Sequence, residues 1–294
     1  MRKIIVGGML VCAVVLICMG SINSFSTMVS VLEEEEFKVD GIEMLNFQTT
    51  AADIEIKSSS SDHIAVKLEG KIKKKLKDKF RVKIDEDGVQ LKVSYLSNDN
   101  SLGIQLGSER DMTLRVTLPE RTYKALSVHT TSGNIEAVSV SAGNINLKSA
   151  SGNQDIKKFT SEDTLSIQST SGDIELERNM MNNFSIGSTS GSVKIEELVS
   201  RSGKITTKSG DVKVLIEEMI NSLDVITTSG DVRTTFKDNP ESLKIDFQGD
   251  SGEPDIKLKN IMYEDKSENS AIGLIGDGIK ILNVKTTSGD FTAE

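Results

Sequence analysis

Downstream of residue 125, apolar and polar residues alternate in short bursts that restart at a nearly fixed interval. Counting from the Ser of a recurring Ser-Gly pair, positions −6 and −4 are apolar, as in Leu126/Val128, Leu165/Ile167 and Leu223/Val225. Positions +3 and +5 are apolar again, as in Ile174/Leu176, Val193/Ile195 and Val212/Val214. Alternation with period two predicts strands with one buried face, here two strands per repeat. The Ser-Gly pair between them predicts a corner, where Gly turns freely and a following Asp, Asn or Ser can hydrogen-bond the bending backbone.

The pairs begin at Ser132, Ser151, Ser171, Ser190, Ser209, Ser229 and Ser251, with a last copy at Ser288, so the usual interval is 19 or 20 residues. The longer gap before Ser288 leaves room for an irregular insertion around Asn260 to Gly278. Two strands with corners in about 20 residues make one coil of a parallel β-solenoid, and a half-coil echo at Ser141-Ala142-Gly143-Asn144 fits that geometry. An antiparallel meander is the competing arrangement, and the constant interval favours the solenoid. Stacking then predicts an internal column of small hydroxyls at position −2, formed by Thr130, Ser149, Ser169, Ser188, Thr207, Thr227 and Thr286.

Residues 37 to 125 alternate too, in Asp53-Ile-Glu-Ile-Lys, His63-Ile-Ala-Val-Lys-Leu, Phe80-Arg-Val-Lys-Ile, Val89-Gln-Leu-Lys-Val and Met112-Thr-Leu-Arg-Val-Thr-Leu. This region is expected to cover the open edge of the first coil, and Ala52 to Ile56 reads as an early, imperfect half-coil. Ahead of it, Arg2 and Lys3 precede an uncharged stretch from Ile4 to Leu32, followed by Glu33 to Glu36. That stretch exceeds the ~20 residues needed to cross a bilayer. A cleaved signal peptide competes, but no clean cleavage site follows. The charge asymmetry predicts a signal anchor with the remainder outside.

The expectation is therefore an all-β protein: a parallel β-helix or β-solenoid of ~20-residue coils with an N-terminal β capping region, preceded by one transmembrane helix. Its parts are an anchor and acidic linker over 1–36, an N-terminal β region over 37–125 and the repeat over 126–294. The expected location is the cell membrane, single-pass, with the C-terminal domain extracellular.

Asp53-Ile-Glu-Ile, Leu114-Arg-Val-Thr-Leu-Pro119, Leu126-Ser-Val-His-Thr-Thr-Ser-Gly-Asn-Ile and the serial Thr-Ser-Gly-Asp resemble the bacterial putative-adhesin β-strand-repeat family, particularly its LiaG-type membrane-anchored members. The resemblance runs from about residue 40 to the C-terminus. It implies a β-helix-like fold, surface display and no known catalytic residues. The Ser251-Gly-Glu-Pro copy and the insertion over 260–278 depart from the pattern.

Composition narrows the function classes. A net charge of −9 and pI near 5.0 exclude a nucleic-acid partner, which needs a basic face. The basic run Lys71 to Lys79 reads as the solvated side of a strand or hairpin. Cys12 and Cys18 are the only cysteines, so neither a disulfide framework nor a cysteine zinc site forms in the repeat. Gly249-Asp-Ser251-Gly-Glu-Pro brushes a serine-protease motif, yet His63 and His129 are the only candidate bases. Gly273 to Gly278 has the outer glycines of a phosphate loop, but Ile279 stands where the Lys is needed. Asp173, Asp211, Asp231 and Asp290 supply one carboxylate per coil, thin for a calcium ion that takes 6–8 oxygens, and read as turn caps.

No catalytic, cofactor-binding or metal-ligating residue is assigned, and no cofactor is expected. The functional expectation is a non-enzymatic adhesin-like, structural or sensory module at the cell envelope. Its partners would be the membrane through the N-terminal helix, a cell-wall polymer or envelope protein, and other copies of itself. Two alternatives stand beside this: a polysaccharide-active β-helix enzyme, and a scaffold assembling through an exposed edge at Asp290 to Glu294.

Overall fold

The computed structural model describes residues 28–74, 80–97 and 110–294, and these form 23 strands of one continuous sheet wrapped into two faces. The first face runs, in spatial order, through β5 (Phe80–Glu86), β6 (Gln90–Ser97), β2 (Met44–Thr49), β8 (Thr122–Thr130), β10 (Ser141–Ser149), β12 (Thr160–Ser169) and β14 (Met180–Gly187). It continues through the later halves of β15 (Val193–Thr206) and β16 (Val212–Ile226), then β22 (Ile281–Thr286), β18 (Leu243–Gly249), β21 (Ser270–Ile275) and β20 (Met262–Lys266).

The second face runs through β1 (Met28–Lys38), β4 (His63–Lys73), β7 (Arg110–Pro119), β3 (Asp53–Ser59), β9 (Ile135–Val138), β11 (Gln154–Lys157) and β13 (Ile174–Glu177). It ends with the earlier halves of β15 and β16, β17 (Val232–Phe236), β23 (Phe291–Ala293) and β19 (Pro254–Ile256). Strand pairing is parallel throughout the coils and antiparallel only where β1, β4, β5, β20 and β21 close the ends. The solenoid expectation therefore holds over the meander.

Spatial order departs from chain order at both ends. The half-coil read at Ala52 belongs to a full coil, β2–β3, which lies between the β6–β7 coil and the β8–β9 coil. At the other end β22–β23 slots between the β16–β17 coil and the β18–β19 coil. The 260–278 insertion is the hairpin that covers β18 and returns the chain for this step. The N-terminal region is thus partly coil and partly cover.

The inward residues are mostly aliphatic, with Phe159 and Phe184 within the stack and further bulky rings at its ends. Phe47, Tyr95 and Tyr123 fill one end; Phe247 and Phe291 stack at 5.4 Å in the other. Aromatic rings cover more area per residue than aliphatic chains, which suits end coils with a neighbour on one side. Within the column, Phe184 lies in register with Gly203, and its ring occupies the space a side chain at 203 would need.

The transmembrane helix expected at the N-terminus is not supported. No α-helix occurs among the described residues, and none is long and apolar enough to cross a membrane. The described part of the expected span, Met28 to Leu32, is instead the start of β1, which continues through Glu33–Glu36 and pairs with β4 over its whole length. Val29 and Val31 alternate inward onto the core, so period two rules this segment rather than uniform hydrophobicity. The rest of the expected anchor falls on residues 1–27, outside the described residues. With the helix go the single-pass topology, the extracellular placement argued from it, and the membrane as a partner.

Two smaller expectations also change. The half-coil echo at Gly143 is a bulge inside β10, not a corner. In four successive coils the second corner falls earlier, at Ser139, Lys158, Arg178 and Glu197, all at positive φ between 52° and 59°. The edge expected at Asp290 to Glu294 is absent, because β23 is hydrogen-bonded between β17 and β19. The strand that ends this face is the short β19, which begins at Pro254 and so lacks a donor there.

Candidate interaction surfaces

The repeated motif is the obvious place to look for chemistry, and its polar atoms are consumed by the fold. The expected hydroxyl column is buried. Thr130, Ser149, Thr227 and Thr286 accept the N–H of Gly133, Gly152, Gly230 and Gly289 at 2.8–3.0 Å. Ser169, Ser188 and Thr207 instead donate to the carbonyls of Gly172, Gly191 and Gly210 at 2.7–2.9 Å. Thr49 extends the column by donating to Thr130 at 3.0 Å. Its signal was legible: Thr49-Thr-Ala-Ala-Asp53 has the frame of Thr-Thr-Ser-Gly-Asp.

The corner Asp and Asn residues form a second ladder. Asp53 Oδ1 accepts the Asn134 N–H at 2.7 Å, Asn134 accepts that of Asn153 at 2.9 Å, and Asn153 accepts that of Asp173 at 2.9 Å. Asp173 caps Ser192, where the row breaks. It resumes from Asp211 to Asp231, Asp290 and finally Glu253. Glu253 belongs to the terminal coil, which explains its departure from the motif: no further coil needs its carboxylate. Among the described residues no group of three or more His, Cys, Asp or Glu could hold a metal ion.

The other motifs are likewise structural. Ser251 donates its N–H to the Thr287 carbonyl, and Gly252 packs on Gly289. His129 lies seven coils away, roughly 34 Å at the ~4.8 Å strand spacing. His63 lies on β4, near the opposite end, hydrogen-bonded to Asp62 at 2.6 Å. The glycines at 276 and 278 take positive φ in the turn after β21, where Ser242 accepts the Ile279 N–H. A small apolar pocket beside Phe184 and Gly203 holds about 20 Å³, room for little more than one water.

What remains for recognition are the two outward faces. On the first, Asn46, Ser127, Asn146, Ser166 and Ser185 lie in register, beside the row Gln48, His129, Lys148, Gln168 and Gly187. Across these five coils the two rows are mostly hydroxyl- and amide-bearing, with His129 and Lys148 among them, while Lys124, Glu162 and Asp163 add charges toward the strand starts.

The second face is charged, and its central row is sorted by sign. It enters through Glu34, Lys67 and Arg115, followed in register by the acids Glu55, Glu136, Asp155 and Glu175. The bases Lys194, Lys213 and Arg233 follow, then Thr292 and Asp255. Asp155 holds Lys157 above the usual lysine range through a 2.8 Å hydrogen bond, with Glu175 and Glu136 adding to it. Hydrogen bonds that Lys194 donates to Glu175 and Glu196 do the same for it.

Residues 42–294 match the family described as toastrack DUF4097. The chain belongs to the toastrack DUF4097 family. The adhesin-type repeat resemblance read from about residue 40 onward agrees with this assignment. A solved structure of a "putative adhesin" from Bacteroides fragilis shares the toastrack fold, with 16% identity, a TM-score of 0.53, and coverage of 90% of this chain and 97% of that one. A "putative adhesin" from Parabacteroides distasonis is 10% identical over 89% of this chain and 97% of that one, with a TM-score of 0.41. A "putative lipid binding protein" from the same species is 14% identical over 90% and 96%, with a TM-score of 0.38. No protein with a curated description matches the chain.

Proposed function

We propose that this toastrack protein is a non-enzymatic, adhesin-like structural module of the cell envelope that holds an extended partner along its outward faces. The observation carrying this reading is the consumption of the motif: hydroxyls, corner carboxylates and glycines are spent joining one coil to the next. The side chains that remain free are spread over two long ladders rather than converging on a reacting atom. The naming of the Bacteroides fragilis protein as an adhesin supports the same reading. The Asn, Ser and Gln rows of the first face suit a hydroxylated polymer such as wall glycan, whose hydroxyls match these donors and acceptors.

The test is a pull-down of purified wall polysaccharide by the protein, with the polymer's chain length followed over time. Saturable retention without shortening is expected. Turnover of the polymer, abolished by substituting a single acid, would replace this reading with the polysaccharide-active alternative.

A further inference from the structure

The central row of the second face has an unusual symmetry. Like charges sit beside one another at about 4.8 Å along each block, and such neighbours destabilise a sheet. Ion pairs within the chain, Arg115 with Glu55, Lys157 with Asp155, Lys194 with Glu175 and Arg233 with Glu294, relieve part of this crowding, yet the like-charged neighbours along each block remain. Reading the row backwards, however, exchanges the signs. Pivoting about the midpoint between Glu175 and Lys194 pairs Glu175 with Lys194, Asp155 with Lys213, Glu136 with Arg233 and Arg115 with Asp255. Glu55 meets the neutral Thr292, and no like charges coincide. The flanking row, from Lys57 past Glu177 to Lys257, mixes signs, and the same pivot sets Glu177 against Glu196 there.

A two-fold axis lying in the interface, parallel to the strands at that midpoint, performs this pivot between two molecules, and a two-fold interface requires a patch complementary to itself. We propose that the second face is a homotypic docking surface, on which a second copy of this chain lies antiparallel so that the acidic block of each meets the basic block of the other. The inference deepens the structural half of the proposed function and rests on it by naming this chain as one of its partners. A failed dimer would leave the wall-polymer experiment untouched.

The size of the patch sets the strength. Ten strands at ~4.8 Å span roughly 43 Å, and a width of four residues adds about 13 Å. The footprint of roughly 550 Å² per partner is below the ~800 Å² of a standard stable complex. The dimer is accordingly weak and held largely by charge, so it dissolves as salt shortens the screening length.

Sedimentation velocity on the full chain at about 25 mM and about 500 mM salt tests this. Concentration-dependent dimers at low salt that disperse at high salt are expected. Two double variants then locate the surface: Lys213→Glu with Arg233→Glu, and Glu136→Lys with Asp155→Lys. Each alone should weaken self-association at least about tenfold, and an equimolar mixture should recover it as a heterodimer, since each variant's new charges face the other's.

The second variant is the sharper probe. It brings the net charge of −9 toward zero, so general repulsion would fall and association would strengthen if total charge were in control. The proposal is overturned by a wild type that stays monomeric at low salt. Variants that self-associate like the wild type, or a mixture that fails to recover, overturn it too. Unchanged thermal unfolding of both variants guards against misfolding.

Discussion

Gly152 lies directly over Gly133, so close that a Cβ on Gly152 would come within 1.8 Å of the Gly133 carbonyl oxygen. The same contact recurs from Gly133 over Ala52 to Gly252 over Gly289, at 1.8–2.1 Å in every rung. The obstacle is backbone, which cannot rotate aside. Gly152→Ala should therefore destabilise the protein by about 3–5 kcal/mol, far beyond the ordinary Gly-to-Ala effect. Urea unfolding of this variant gives the answer. A loss under about 1 kcal/mol would mean that the coils can slide apart, and the ladder would not be rigid.

Gln154 interrupts a run of aliphatic side chains, in register with Ile135 and Ile174. Its amide donates to the Gln168 carbonyl at 2.9 Å, but its side-chain oxygen is buried without a partner. An orphaned buried acceptor costs about 1–3 kcal/mol. Gln154→Ile should thus raise stability by about 1–2 kcal/mol, read as a higher midpoint in urea with an unchanged slope. A lower midpoint would show that the Gln168 bond outweighs the orphan.

The corner ladder is interrupted at Ser192, between Asp173 and Asp211. Ser192→Asp should supply the missing cap for the Asp211 N–H and add about 0.5–1 kcal/mol, as one charge-assisted hydrogen bond partly offset by like-charge neighbours. Asp173→Ala should remove a similar amount. Calcium should leave the melting temperature of the wild type unchanged, since each corner carboxylate is already engaged with backbone. A calcium-dependent rise in melting temperature would turn these caps back into a metal site.

Tyr123 carries a pH prediction. Burial pushes its phenol up to about 12, with Arg121 pulling slightly the other way, against an ordinary value near 10. The unfolded chain therefore loses this proton first as pH rises. The contribution is complete below about pH 10 and disappears as pH climbs toward 12. Tyr123→Phe should flatten the alkaline fall in unfolding midpoint, although it forfeits the 3.4 Å bond to the Pro119 carbonyl. An equally steep fall in the variant would assign the alkaline sensitivity elsewhere.

The repeat was legible in the sequence because each of its parts has a local cause. Alternation marks strands, Ser-Gly marks the corner, and equal spacing brings position −2 into a column from Thr130 to Thr286. What escaped was non-local. Nothing in Ser139, Lys158, Arg178 or Glu197 advertises a corner, since these residues adopt positive φ under the pull of the coil around them. Met28 to Leu32 read as the tail of a membrane span because a short apolar run suits a strand and a helix alike; only β4 decides between them. The candidate surface was legible as residues but not as a row. Arg115 joins Glu55 across 60 positions of chain, and Asp255 follows Thr292 only because the last coils exchange places.

That exchange bears on how the molecule is made. A growing chain can add the coils from residue 122 to 216 one upon another as they emerge, each on the edge left by the last. The β16–β17 coil must then wait with its upper edge bare while β18 to β21 are synthesised, until the final strands thread in between. Completion of the stack is thereby tied to the emergence of β22 and β23, and a chain stopped short of them would betray itself by two unmated edges.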